Sequence, residues 1–289
     1  MSHPVQLCQS STVNSGLVVT RWLASLVMTC LFGLAAASVS SAAEPEDVSF
    51  RARNDGSEQR YVVRLPPEFR DEVPHGLLIA LHGHGSDRWQ FIRDGRDECR
   101  AARDAADRHG LIFVSPDYRA RTSWMGPQAE QDVLQILEEL RVKYRISHVI
   151  VSGGSMGGTS ALTFAALHPD LVAGVVALNP HANHLEYDRF QDAIAASFGG
   201  SKAEKLPEYK NRSAEYWPEK FTMPCAITTG GRDEIVPPDS ALRLAAVLKR
   251  LDREILVIHR SEGGHATDYA DTLAAYEFVI ERAGKGRKE

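Results

Sequence analysis

The stretch from residue 149 to residue 162 constrains the fold of this chain more than any other. It begins with Val-Ile-Val, continues through Gly-Gly-Ser-Met-Gly-Gly and leads into a segment rich in Ala and Leu. β-Branched residues favour a strand and Ala and Leu favour a helix, so Ser155 is predicted to lie on a sharp strand-to-helix turn. A serine on such a turn has strained backbone geometry and needs small neighbours, which Gly153, Gly157 and Gly158 provide. This G-x-S-x-G pattern in this context is typical of a nucleophilic serine.

Apolar runs recur along the rest of the chain, and most are followed by a segment with helical periodicity. A continuous apolar run is typical of a strand buried on both faces, and alternation of such strands with helices predicts a mostly parallel central sheet flanked by helices. Near the start, alternating residues surround Asn54-Asp55-Gly56, which predicts an antiparallel hairpin extending one edge of the sheet. The fold class expected is therefore α/β. The predicted core strands lie at residues 77–81, 111–114, 148–151, 172–178, 224–229 and 254–259.

The segment 183–223 interrupts this alternation between the strands predicted at 172–178 and 224–229, which are the sixth and seventh when the two hairpin strands are counted. It is too long for a bare connection in a compact domain, and an inert surface loop would not need so many aromatic side chains. We interpret it as a small, partly helical excursion over the strand ends. Its aromatic residues include Tyr187, Phe190, Phe198, Tyr209, Tyr216 and Trp217.

The serine needs two partners, because a hydroxyl is a poor nucleophile until a histidine takes its proton and a carboxylate orients that histidine. In open α/β sheets such partners lie on loops at the carboxyl ends of later strands. Asp233 and His265 follow the last two predicted strands, each on a Gly-rich turn. Glu234 and Asp239 are alternative acids, but Asp233 is the first acid after its strand, and Pro237 fixes the loop behind it. The predicted catalytic residues are Ser155, Asp233 and His265.

Two backbone amides are expected to bind the oxyanion of the reaction. The first is the N–H of Met156, at the positive end of the helix that follows the serine. The second is expected from the His-Gly-His-Gly loop after the strand at 77–81, with His84 as the first choice and Gly83 as the alternative. The side chain of His82 is expected to brace that loop.

Three further residues are candidates for contact with the substrate. Trp124 lies on the loop after the strand at 111–114, where an aromatic side chain is suited either to stack on a sugar or aryl group or to pack in the core. His181 and Asn183 follow the strand predicted at 172–178 and are placed to line the acyl or leaving-group side.

With these residues in place, the chain resembles the α/β-hydrolase superfamily, and in particular secreted esterases of the feruloyl, acetylxylan and polyhydroxybutyrate-depolymerase group. Its Gly-Gly-Ser-Met-Gly-Gly motif also resembles the catalytic domain of prolyl-oligopeptidase-type peptidases. The resemblance implies a cofactor-free serine hydrolase acting on small-molecule or carbohydrate esters. A peptidase is the alternative, although residues 44–76 are too few for the propeller that precedes such catalytic domains. An inert binding protein on the same scaffold is the third reading.

The N-terminal residues 1–43 have the layout of a signal peptide. Arg21 supplies a positive charge, an apolar run covers 22–37, and Ser41-Ala42-Ala43 offers a small-residue cleavage site. A retained membrane anchor is the alternative, because residues 22–43 are uncharged and long enough to span a bilayer. The serines in that stretch and the acidic residues after it favour cleavage. We therefore expect a secreted or periplasmic domain over residues 44–289, without a membrane partner.

Charge and cysteine content exclude other classes of function. The formal net charge is −5 at pH 7, which gives no basis for nucleic-acid binding. Cys99 and Cys225 remain after cleavage, and because they fall on a predicted helix and a predicted strand we expect separate burial instead of a disulfide. No Cys/His spacing predicts a metal site.

Overall fold

The computed structural model describes residues 44–284, and within that range eight strands form one sheet in the order β1-β2-β4-β3-β5-β6-β7-β8. Strands β3 to β8 pair in parallel, whereas β1 and β2 form the predicted antiparallel hairpin at one edge. The expected α/β sheet is confirmed. The strands are β1 Glu46–Arg51, β2 Glu58–Arg64, β3 His75–Leu81, β4 Ile112–Pro116, β5 Ile146–Gly154, β6 Gly174–Leu178, β7 Cys225–Gly230 and β8 Ile255–Arg260.

Helices cover both faces of the sheet. One face packs against α1, α2 and α8 in an apolar layer that includes Phe91, Cys99 and Tyr276. The other packs against α3, α4 and α7 in a layer that includes Ile136, Phe164 and Leu244. The helices are α1 Gln90–Arg93, α2 Asp97–Arg108, α3 Pro127–Lys143, α4 Met156–Leu167, α5 Gln191–Phe198, α6 Leu206–Asn211, α7 Asp239–Arg250 and α8 Tyr269–Ala283.

The position of a strand in the sheet explains its burial. Strands β4, β6 and β7 are buried at every position because both of their faces are covered. By contrast, β8 is an edge strand with one neighbour, and its residues are half-buried or exposed. The apolar runs of the sequence thus mark the centre of the sheet more strongly than its edges.

The segment between β6 and β7 is the predicted excursion. It contains α5, α6 and two 3-10 turns, Ala214–Tyr216 and Pro218–Lys220. Arg212 anchors it, because its buried guanidinium donates hydrogen bonds to Met125 O (2.7 Å) and Glu130 Oε2 (2.7 Å). A buried guanidinium needs such acceptors to offset its lost hydration.

The two cysteines are free and buried, Cys99 on α2 and Cys225 on β7, as expected from the sequence. Among residues 44–284, no helix has the length and apolar character needed to cross a membrane. The predicted signal peptide at 1–43 lies outside the described residues.

Candidate active site

Ser155 lies on the turn between β5 and α4, with φ 57° and ψ −120°. A positive φ is rare for a residue with a side chain and costs free energy unless the surroundings enforce it. Two hydrogen bonds hold Ser155 in this conformation. Its N–H donates to Leu178 O at the end of β6 (2.8 Å), and its carbonyl oxygen accepts from Thr159 N–H (3.0 Å). The serine is therefore held at the carboxyl edge of the sheet.

Two glycines beside Ser155 are required by the close approach of other backbone. A Cβ added to Gly157 would lie 2.7 Å from the carbonyl carbon of Leu81, closer still to the Leu81 oxygen, and 2.8 Å from His82 O. A Cβ added to Gly153 would lie 2.6 Å from Leu81 O. The turn thus packs directly against the end of β3, which brings the loop after β3 close to Ser155.

The structure brings Ser155, His265 and Asp233 together from distant parts of the chain. His265 Nε2 lies 2.8 Å from Ser155 Oγ, and His265 Nδ1 lies 2.6 Å from Asp233 Oδ2. This is the geometry in which a neutral imidazole accepts the serine proton on one nitrogen while the other donates to a carboxylate.

The carboxylate of Asp233 is fixed as well as buried. Its other oxygen, Oδ1, accepts hydrogen bonds from the amides of Ile235 (3.0 Å) and Val236 (2.9 Å), and only 1% of the side chain is exposed. The two alternative acids, Glu234 and Asp239, are exposed. The loop after β7 therefore presents one buried, oriented carboxylate to His265.

Two residues are predicted to supply the amides that bind the oxyanion, Met156 and His84. Met156 is the first residue of α4, so its N–H has no acceptor within the helix. His84 lines the same cavity as Ser155. The amide of Gly83, the alternative, already donates to Gln90 Oε1 (2.7 Å), which leaves His84 as the better choice.

The ring of His82 lies behind this loop, as expected for a brace. Its Nδ1 lies 2.9 Å from Gly83 O and its Nε2 lies 3.2 Å from Asp117 O. Burial lowers the pKa of His82. Both of its nitrogens thus face backbone carbonyl oxygens, and His82 does not line the cavity that contains Ser155.

Ser155 and His265 open onto a cavity of about 300 Å³. One part of its wall is apolar, including Phe91, Phe190 and Ile235, and another is polar. Most of this wall was not predicted from the sequence. A signal was available, because α1 and α2 follow β3, and the carboxyl end of β3 lies at the same edge of the sheet as Ser155. The lining residues are Gly83, His84, Ser86, Gln90, Phe91, Arg96, Glu98, Cys99, Gly154, Ser155, Leu178, Asn179, Phe190, Ile235 and His265.

Asn179 and Cys99 contribute to this wall in different ways. Asn179 has a positive φ of 48°, and its Oδ1 accepts from the Thr267 hydroxyl (2.6 Å), while its Nδ2 has no hydrogen-bond partner among residues 44–284. Burial raises the pKa of Cys99 to about 12, so this thiol stays protonated and is no rival nucleophile.

The three candidates for substrate contact are not among the residues that line this cavity. The indole of Trp124 is fully buried one layer behind it, with ring centroids 5.8 Å from both His84 and Phe190. His181 and Asn183 instead border a separate cavity of about 390 Å³. Trp124 therefore has the packing role that the sequence left open as its alternative.

His181 and Asn183 are held by their own surroundings. The ring of His181 stacks on Tyr187 (centroids 4.1 Å apart), and burial lowers its pKa well below the usual range. Asn183 Nδ2 donates to Glu215 Oε2 (2.9 Å), and its Oδ1 accepts from Leu185 N–H (3.0 Å). The structure thus does not bring either side chain to the reacting atoms.

Comparison with known proteins gives a family match and several similar structures. A profile of the prolyl oligopeptidase family matches residues 110–283. The thermostable monoacylglycerol lipase of Bacillus sp. (strain H-257) is 24% identical over 168 residues, which cover 50% of this chain and 67% of the lipase.

Two solved structures represent the range of similar folds. FphF, a fluorophosphonate-binding serine hydrolase of Staphylococcus aureus, is 20% identical with a TM-score of 0.63 over 83% of this chain and 98% of its own. An acylaminoacyl peptidase of Pyrococcus horikoshii is 17% identical with a TM-score of 0.64 over 85% of this chain and 42% of its own. At these identities the likeness establishes the fold, which is that of α/β-hydrolases.

Proposed function

The chain belongs to the prolyl oligopeptidase family of serine hydrolases, and on that premise we propose that it cleaves carboxylic esters through an acyl-enzyme on Ser155. One observation carries the proposal: the ring of His265 bridges Ser155 Oγ and Asp233 Oδ2 at 2.8 and 2.6 Å, beside a cavity large enough for a small substrate. Such a bridge activates a hydroxyl for acyl transfer.

In the first half of the reaction, His265 Nε2 takes the proton of Ser155 as Oγ attacks the ester carbonyl. We propose that the amides of Met156 and His84 bind the negative charge that develops on the carbonyl oxygen, because donors fixed before the reaction need no reorganisation. Asp233 holds the His265 tautomer and stabilises the imidazolium. His265 then returns the proton to the departing alcohol.

In the second half, water replaces the alcohol and His265 takes a proton from it. The resulting hydroxide attacks the acyl carbonyl, the same two amides bind the oxyanion, and the acid leaves as Ser155 regains its proton. Each proton removed by His265 is returned within the same half-reaction, so the cycle needs no further cofactor.

The choice of esters over peptides is supported by the curated relative reported above, which is a monoacylglycerol lipase. Acyl or feruloyl esters of carbohydrates are the natural substrates we favour, from the resemblance to secreted esterases. The peptidase alternative is retained because the family profile itself is that of prolyl oligopeptidases.

The test is turnover of p-nitrophenyl acetate by the wild type and two variants. Ser155→Ala should lose roughly 10⁶ in kcat, as for removal of a triad serine in other enzymes. Asp233→Asn should lose roughly 10⁴, because the asparagine amide stabilises the wrong tautomer of His265. Near-normal turnover by Ser155→Ala would show that another group is the nucleophile.

Two further assays separate the alternatives. An acyl-amino-acid p-nitroanilide cleaved faster than the ester would favour the peptidase. A fluorophosphonate probe reacts only with an activated serine, so an unlabelled wild type would indicate an inert binding protein.

A further inference from the structure

Two large apolar side chains stand exposed in the wall of the Ser155 cavity. Phe190 is 37% exposed and Ile235 is 43% exposed, and both line the cavity. We call this pair the apolar lip. Exposed apolar surface next to a reactive group is an unfavourable contact with water that a ligand can relieve.

Phe190 reaches the lip through a strained backbone. Its φ of 54° and ψ of 29° are left-handed, a conformation that bulky side chains rarely adopt. The ring is not buried in the core but lies at the cavity wall, with its centroid 4.2 Å from that of His84. Residues with such a strained backbone cluster at active sites and ligand-binding positions.

The lip is also fixed relative to the reacting groups. The Tyr187 hydroxyl, three residues before Phe190, donates to Ile235 O (3.0 Å), which joins the two halves of the lip. Ile235 N–H in turn donates to Asp233 Oδ1 (3.0 Å). A group held by the lip is therefore held at a set position from the carboxylate that orients His265.

We propose that the apolar lip binds an apolar group of the ester, an alkyl chain or an aromatic ring, in either the acyl or the alcohol half. This inference rests on the proposed ester hydrolysis and specifies its substrate class. The polar part of the wall, which includes Arg96, Glu98 and Gln90, disfavours an apolar group. Any preference of the enzyme for apolar substrates should therefore come from the apolar lip. Each methylene buried there should raise kcat/KM about fourfold.

The experiment compares kcat/KM for p-nitrophenyl acetate, butanoate and benzoate, and separately for methyl and hexyl acetate. Phe190→Ala should lower the butanoate-to-acetate ratio, or the hexyl-to-methyl ratio, by about fivefold or more. The benzoate arm tells an aromatic preference from an alkyl one. Leu206→Ala is the matched control, because Leu206 lies in the same excursion and is 55% exposed but does not line the cavity. It should keep the wild-type ratios.

Ile235→Thr provides a second test that does not depend on the folding of Phe190→Ala. It keeps a β-branched side chain and the backbone bonds to Asp233 and Tyr187, and removes apolar surface from the other half of the lip. It should lower the same ratio as Phe190→Ala. If both variants keep the wild-type ratios and are still labelled by the fluorophosphonate probe, the apolar lip does not bind the substrate. That result would leave the proposed ester hydrolysis unaffected. Absence of labelling in the wild type would instead overturn the proposed function itself.

Discussion

Replacing Gly157 with alanine tests how tightly the serine turn is packed against β3. The new Cβ would lie 2.7 Å from the carbonyl carbon of Leu81, and ordinary contacts begin at 3.4 Å, so the two segments must separate by about 0.7 Å or more. Leu81 directly precedes the loop that carries His84. A misplacement approaching 1 Å in a catalytic group costs about 10²-fold in rate, and loss of one oxyanion donor costs 10²- to 10³-fold.

The expected result for Gly157→Ala is a loss of about 10² or more in kcat/KM for p-nitrophenyl acetate. Overpacking of this kind also destabilises by about 1–3 kcal/mol, and the upper end applies because the clashing atoms are backbone. Thermal unfolding followed by circular dichroism measures the second effect.

Gly154→Ala is the matched control for stability. Gly154 is the last residue of β5 and lies on the same turn as Gly157, yet a Cβ there would meet no atom within 4 Å and its φ is not positive. Its free energy of unfolding should stay within about 1 kcal/mol of wild type. Equal destabilisation by both substitutions, or wild-type turnover in Gly157→Ala, would refute the packing argument.

Two other predictions concern pH and maturation. Burial raises the pKa of Asp132 to about 6 despite its ion pair with Arg119, so its contribution to stability is greatest below pH 4 and is lost as pH rises through 6. The Tm of the wild type minus that of Asp132→Asn should therefore fall between pH 4 and pH 7, and a constant difference would contradict the shift. We also propose export with cleavage before Glu44, which N-terminal sequencing of protein from a secreting host would reveal; a chain retained in the membrane fraction with residues 22–43 attached would argue for the anchor.

Much of the architecture could be predicted because its signals are local. The apolar runs marked the central strands, and the small residues around Ser155 marked the turn that the structure forms there. The positions of Asp233 and His265 followed from a general rule, that side chains after successive parallel strands meet at one edge of the sheet. The sequence was enough to predict that these two residues lie close together, but the distances between their atoms came from the structure.

The cavity wall was harder to predict, because it depends on packing between segments far apart in the chain. Helix α1 covers only Gln90–Arg93, too short to show a helical period in the sequence. The aromatic residues of 183–223 were visible, but periodicity does not tell which of them is exposed. Trp124 is fully buried and Phe190 is 37% exposed, although both residues have a positive φ of 47° and 54°. The positive φ of Asn179 was not predicted either, although asparagine adopts this conformation more readily than most residues.

The edge position of β8 has a consequence for how this protein fails on heating. His265 follows β8, and Asp233 follows β7, the single strand to which β8 is bonded. Edge strands with half-exposed residues open at lower free energy than the centre of a sheet. Local unfolding of β8 would move His265 away from Ser155 while β3, β5 and β6 stayed ordered. Inactivation should therefore precede the melting of the core.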